Sequence, residues 1–299
     1  MKRALPPVAA FALIVCSTAI AGPRVEPLGK NLYAYVSDND RSANSTFLVG
    51  QHGILVVDTG LNAVEGEKLR TEIAKISAAP VQFIVNTHYH PDHQGGNGIV
   101  GPNAVVIGSV FTRDRTEQLM SQTPGNAGGD AQRPAQAAAA FRAATMTFTQ
   151  ELTVYIDDDP VEIFSPGPGH TMGDVYVFFP NQRTVSAGDL YMTNSCPAMD
   201  QGSAKNWVHT LEVMLALPAD HFVPGHFDVG TRETIQRFRD YLADLTAQVE
   251  ALYRSGATAA EVRERIDMKK YQGFRQFPQF RATFADNAEA IFRQLQHAP

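Results

Sequence analysis

Asn86-Thr87-His88-Tyr89-His90-Pro91-Asp92-His93-Gln94-Gly95-Gly96-Asn97 is the stretch on which the reading of this chain turns. Three His and one Asp fall within six residues, just after the apolar run Val81-Gln82-Phe83-Ile84-Val85. That run has the length and β-branched content of a buried strand. Alternate residues of an extended segment share a face, so His88 and His90 can address one cation. Pro91 turns the chain, which lets Asp92 and His93 address a second position. A lone His is usually a structural residue, but this density of ligating side chains at one strand end points to a metal centre.

Working outward, the same form recurs. Gly167-Pro168-Gly169-His170-Thr171, Ala187-Gly188-Asp189 and Val223-Pro224-Gly225-His226 each put a candidate ligand in a Gly-containing turn after a strand. Asp58 in Val57-Asp58-Thr59-Gly60 has the same placement. Five of the nine His lie in such turns, and His52, His209, His221 and His297 read as surface or structural residues. Strands are expected at Leu32–Val36, Thr46–Val49, Ile54–Val57, Val81–Val85 and Ala104–Ile107, with helices over Ala63–Ile76 and Phe111–Met120. The pattern repeats after Thr147, with strands at Leu152–Ile156, Val161–Phe164, Val175–Phe179 and Thr184–Ala187. Helices then dominate. Ile235, Phe238, Leu242, Leu245, Val249 and Leu252 share one face of a long helix. Thr258 with Glu261 forms a capping box for the next, and a last helix covers Asp286–Gln296. Trp207, Leu211, Met214 and Leu215 have the spacing of a core-facing helix. The residues from Gln122 to Ala140, rich in Gly, Pro, Gln and Ala, read as a surface loop running into a helix, with a lid as the alternative.

These elements, in this order, resemble the metallo-β-lactamase superfamily: the H-x-H-x-D-H motif at His88–His93, then His170, Asp189 and His226. The likeness runs from about Ala34 to His226. It implies an α+β fold, a four-layer αββα sandwich, here with additional C-terminal helices. The expected organisation is a domain over residues 22–230 with a helical extension over 231–299 packed on it. The resemblance also implies a metal site of His88, His90 and His170 and another of Asp92, His93 and His226, with Asp189 bridging them. Asp58 matches a residue that orients ligands rather than binding metal. Two Zn2+ suit imidazole and carboxylate ligands without a thiolate, as iron or manganese also can. The expected activity is that of a dinuclear zinc hydrolase on a small-molecule ester, lactone, thioester, amide or β-lactam, with attack by a bridging hydroxide. Asp92 would orient the nucleophile or receive its proton, and Tyr191 and Asn194 are placed to meet a substrate oxyanion. The alternative is a mononuclear iron oxidoreductase resembling the sulfur dioxygenases of the same fold. An Asp at 189, where well-known β-lactamases carry Cys or a small residue, is the pattern of glyoxalase II-like and lactonase-like branches. Cys196 lies seven residues further on and reads as a small buried hydrophobe.

Composition is ordinary for a globular protein. The 299 residues are 44% hydrophobic and 19% charged, with a formal net charge of −6, so neither nucleic acid nor an anionic membrane surface is indicated as partner. At the N-terminus, Lys2 and Arg3 precede the apolar run Val8–Ile20, and Ala19-Ile20-Ala21 completes the pattern of a cleaved signal peptide over residues 1–21. The expected location is therefore periplasmic or secreted. Cleavage removes Cys16 and leaves Cys196 without a partner in its own chain, so no internal disulfide is expected.

Overall fold

The computed structural model describes residues 22–122, 140–199 and 201–297. The expected signal peptide and residues 123–139, the interior of the expected surface loop, lie outside the described residues.

The first sheet has seven strands in sequence order: β1 (Arg24–Gly29), β2 (Leu32–Val36), β3 (Ser45–Val49), β4 (Ile54–Val57), β5 (Val81–Val85), β6 (Val105–Ser109) and β7 (Met146–Phe148). β1 to β4 are antiparallel, whereas β4 to β7 run parallel. Parallel strands need a crossover between them, and α1 (Ala63–Ile76) supplies the one from β4 to β5. Asn62 caps α1 by accepting from the backbone N–H groups of Val64 and Glu65. The helix then buries Leu69 and Ile73 against Val56 and Ile84 of the sheet. The short helices α2 (Pro91–Gln94) and α3 (Asn97–Val100) follow β5, and α4 (Val110–Gln122) follows β6.

The second sheet has the order β12-β11-β10-β9-β8: β8 (Glu151–Ile156), β9 (Asp159–Phe164), β10 (Tyr176–Phe179), β11 (Thr184–Gly188) and β12 (His221–Pro224). β8 and β9 form a hairpin whose last pair is Ile156 with Asp159, so Asp157 and Asp158 make the turn. β11 and β12 are parallel, joined through α5 (Ala204–Ala216). The inner faces of the two sheets meet in one core that includes Leu48, Val57, Val85, Ile163, Val177 and Val223. On the outer face of the second sheet lie α5, α6 (Arg232–Arg254), α7 (Ala259–Arg265) and α8 (Phe284–Gln296). Trp207, Phe238, Leu242, Leu245 and Ile291 share a single core there with Tyr176, Phe178 and Val185. The layering is helix, sheet, sheet, helix, as expected from the alternation of apolar runs. The helices after residue 230 share their core with the second sheet. No helix among the described residues is long and apolar enough to cross a membrane.

β1 and β7 are not visible as strands in the sequence. β1 carries Pro27 and Gly29, and β7 is three residues long with two of them exposed, so neither shows a continuous apolar run. What positions the site is the common edge where β4, β5, β11 and β12 end. Val175 donates its N–H to the Thr87 carbonyl at 2.7 Å, and Asn44 donates its own to the Gly225 carbonyl at 2.7 Å. These bonds tie the two sheets together next to the ligand-bearing turns.

Candidate metal centre

The turns after β5, β9, β11 and β12 bring seven side chains into two groups of ligating atoms, each group within 4.8 Å. In the first, His90 Nδ1 lies 2.8 Å from His88 Nε2 and 3.2 Å from His170 Nε2. Asp189 Oδ2 joins them, 3.3 Å from His170 Nε2 and 3.9 Å from His88 Nε2. In the second, His226 Nε2 lies 3.2 Å from Asp92 Oδ2, and His93 Nε2 lies 3.6 Å from the same oxygen. Asp189 Oδ1 faces this group, 3.2 Å from His93 Nε2 and 3.6 Å from His226 Nε2. One carboxylate thus presents a different oxygen to each group.

The residues fit a pair of cations on two grounds. His93 Nε2 and Asp189 Oδ1 are fully buried without a hydrogen-bond partner, which is costly unless something electropositive satisfies them. The donors are imidazole nitrogens and carboxylate oxygens, the set that zinc accepts. Their mutual influence is strong in the metal-free protein. Burial, then His93 and His90, hold His88 well below its ordinary range, and burial with His170 takes His90 to about 4. Burial opposes charge on His93, but Asp189, Asp58 and Asp92 outweigh it and raise that imidazole well above its usual value. His226 is raised in the same way by Asp189 and Asp92. Burial likewise opposes ionisation of Asp92, yet His93 and His226 draw its carboxyl down to about 2.

Several groups hold these ligands in place. Asp58, with φ +57, accepts from the Thr87 N–H at 2.9 Å, the Thr87 hydroxyl at 2.7 Å and His93 Nδ1 at 2.7 Å. The last bond leaves His93 Nε2 as the lone-pair nitrogen turned to the cluster. Thr87 Oγ1 lies 3.2 Å from His88 Nδ1 and can accept from it while donating to Asp58. His170 Nδ1 donates to the Ala198 carbonyl at 3.0 Å, so its Nε2 also faces inward. The loop carrying His170 folds around buried Asp174, which accepts from the N–H groups of Gly169 at 3.0 Å and Thr171 at 2.9 Å and from the Thr171 hydroxyl at 2.6 Å. Asn206 Nδ2 clamps the same loop through the Pro166 and Pro168 carbonyls. Gly225 is required by close approach, because a Cβ there would overlap Asp189 Oδ1.

Two expected site residues lie elsewhere. Tyr191 is fully buried among the C-terminal helices, where its hydroxyl donates to Thr234 Oγ1 at 2.7 Å and accepts from Thr193 Oγ1 at 3.1 Å. The chain makes a tight turn after Gly188, at φ +51, that swings this ring onto Phe238 and away from the ligands. It is a core residue, not an oxyanion donor. Asn194 sits in the left-handed region at φ +49, a conformation Asn tolerates, and its carbonyl accepts the Arg275 N–H at 2.8 Å. It pins a C-terminal segment through that carbonyl and is not among the residues that line the cleft over the ligands. Cys196 is buried, its thiol pushed up to about 12 by burial. Asn44, Thr87 and Asp174 were not singled out from sequence. Single Asn, Thr and Asp residues carry no local pattern that separates a ligand brace from a surface turn.

The ligand cluster floors a cleft of about 780 Å3 whose remaining lining is mainly apolar. Comparison with other proteins places this architecture. Residues 38–226 match the Metallo-beta-lactamase superfamily. The chain belongs to that superfamily. It is 27% identical over 226 residues to the 2,4-dinitroanisole O-demethylase subunit alpha of Nocardioides sp. (strain JS1661), a match covering 74% of this chain and 63% of that protein. The chain therefore spans less than two thirds of that relative's length. It is 23% identical over 224 residues to metallo-beta-lactamase type 2 of Bacteroides fragilis, covering 71% of this chain and 82% of the other. Among solved structures, a metallo-beta-lactamase from Pontibacter korlensis superposes with a TM-score of 0.60 at 21% identity, covering 74% of this chain and 99% of that one. Metallo-β-lactamase superfamily homologues of this chain are metal-dependent hydrolases.

Proposed function

We propose that the protein is a dinuclear zinc hydrolase acting on a small ester, lactone, thioester or amide, β-lactams being one member of that group. The observation that carries this reading is the divided carboxylate of Asp189, which joins two complete donor groups on one cleft floor. His88, His90 and His170 would hold one ion, Asp92, His93 and His226 the other, and Asp189 both. A zinc pair held there would supply hydroxide at neutral pH and a Lewis acid for the attacked carbonyl. The protein's own groups set the geometry. Asp58 fixes the His93 tautomer and Ala198 that of His170, so the neutral form of each imidazole presents the Nε2 lone pair to the cluster. Asp92 also lines the cleft, where its carboxylate orients the nucleophile or takes its proton. A mononuclear iron oxidoreductase would leave Asp92, His93 and His226 without work, and their convergence favours the dinuclear reading.

The N-terminal pattern supports export as the setting. N-terminal sequencing of protein recovered from the periplasm or medium is expected to begin at Gly22.

The activity is tested with zinc-loaded protein on a chromogenic β-lactam and a panel of lactones, thioesters and simple esters. The expected result is turnover of at least one class, abolished by a chelator and lowered more than about 100-fold, with loss of zinc, by His88→Ala. Two zinc ions bound with no chelator-sensitive turnover across the panel would overturn the proposal.

A further inference from the structure

The cleft has a wall that the ligand cluster does not explain. Residues 275–282 of the C-terminal region fold back over its mouth as a short hairpin. Phe277 and Ala282 exchange backbone hydrogen bonds at 2.9 and 3.1 Å, and Arg281 closes the turn at φ +53. The hairpin is fastened beside the ligand loop, since Arg275 donates its N–H to the Asn194 carbonyl at 2.8 Å and accepts from the Cys196 N–H at 2.9 Å. Phe277 and Phe280 of this hairpin line the cleft together with Phe227, the residue after His226.

Phe227 is held in an unusual way. Its φ is +75, an outlier for a bulky side chain, and Asn44 Nδ2 secures its carbonyl at 2.7 Å. The strained backbone aims the ring at Phe277, parallel within 8° at a centroid distance of 5.5 Å, and the Arg275 guanidinium lies 3.8 Å from the Phe227 centroid. Phe280 completes the wall at the mouth. It is 48% exposed and has no ring partner among the described residues. Two stacked rings and a third without a ring partner, all lining the cleft that the ligands floor, suit a planar apolar group lying against them.

We infer that this aromatic wall makes the cleft selective for substrates with an aromatic ring close to the scissile bond. The inference rests on the hydrolase reading for its reacting centre, but the wall binds the ring whether or not turnover occurs. The test is therefore equilibrium binding of 2-naphthoate to the zinc-loaded full chain, compared with its saturated counterpart decahydro-2-naphthoate. Both share a carboxylate and a similar apolar bulk, and only one is flat and aromatic. The expected result is a preference for the aromatic acid of about threefold to tenfold. Phe280→Ala and Phe280→Leu are both expected to remove most of that preference while zinc content and thermal unfolding stay as in the wild type. For a naphthyl ester, Phe280→Ala is expected to raise KM about fivefold. Equal binding of the two acids, or an unchanged preference in both variants, would overturn the inference. Absence of turnover on every ester with the naphthoate preference intact would count against the hydrolase reading alone.

Discussion

Asp189→Ala is expected to strip the protein of both ions in chelator-buffered zinc and to lower kcat/KM more than about 100-fold. The reason is geometric. Asp189 is buried, and its two oxygens face different donor groups at 3.2 Å (His93) and 3.3 Å (His170). Removing it deprives each position of a ligand and also removes the negative charge that offsets two cations in a largely buried site. The metal-free protein feels the same loss, since Asp189 is the largest favourable influence on the charged forms of His93 and His226. Zinc stoichiometry by mass spectrometry under buffered free zinc checks the claim, with circular dichroism to show that the sheets persist. If both ions stayed with unchanged affinity, the bridging role would be wrong and the two groups would have to be independent sites.

Asp58→Ala is expected to act on both affinity and stability without removing any ligand. His93 Nδ1, the Thr87 N–H and the Thr87 hydroxyl all donate to this one carboxylate. Without it, His93 is free to adopt the other tautomer, with its N–H turned toward the second position, and zinc affinity there should fall about 10- to 100-fold. The first position should keep its ion. The orphaned N–H of Thr87 is buried, which should cost about 1–3 kcal/mol of unfolding free energy. An additional penalty is expected because Ala is less at ease than Asp at φ +57. Zinc titration against a competing chelator, read beside denaturant unfolding, separates the two effects. Retention of two equally tight ions would show that Asp58 does not set the His93 tautomer.

Much of this was legible in the chain itself. The apolar runs before His88, Asp58 and Asp189 and the amphipathic stripe from Ile235 to Leu252 report the local environment of each residue, because strand and helix periodicities are short-range. The α1 helix begins and ends where its apolar spacing and the Asn62 cap require. The types, order and turn placement of the converging His and Asp residues follow from the same reading. Tyr191 and Asn194 are the instructive exceptions. Their position just after Asp189 suggested contact with substrate, yet nearness along a chain does not determine direction when the chain turns tightly, as the Tyr191 N–H to Gly188 carbonyl bond shows it does here.

The sequence by itself determined the layered α+β architecture and the placement of the His and Asp residues in strand-end turns, because both are written in local spacing, turn chemistry and residue type. The division of the ligands between two positions and the bracing role of Asp58 came from the family resemblance alone. Only the tertiary structure decided that Asn44, Thr87 and Asp174 would brace the ligands, and which oxygen of Asp189 would face each group. It also decided that a hairpin at 275–282 would close the cleft with phenylalanines. Those outcomes depend on contacts such as Asn194 with Arg275 and Asn44 with Phe227. The partners lie far apart in the chain and meet only once the sheets and the C-terminal helices have packed together.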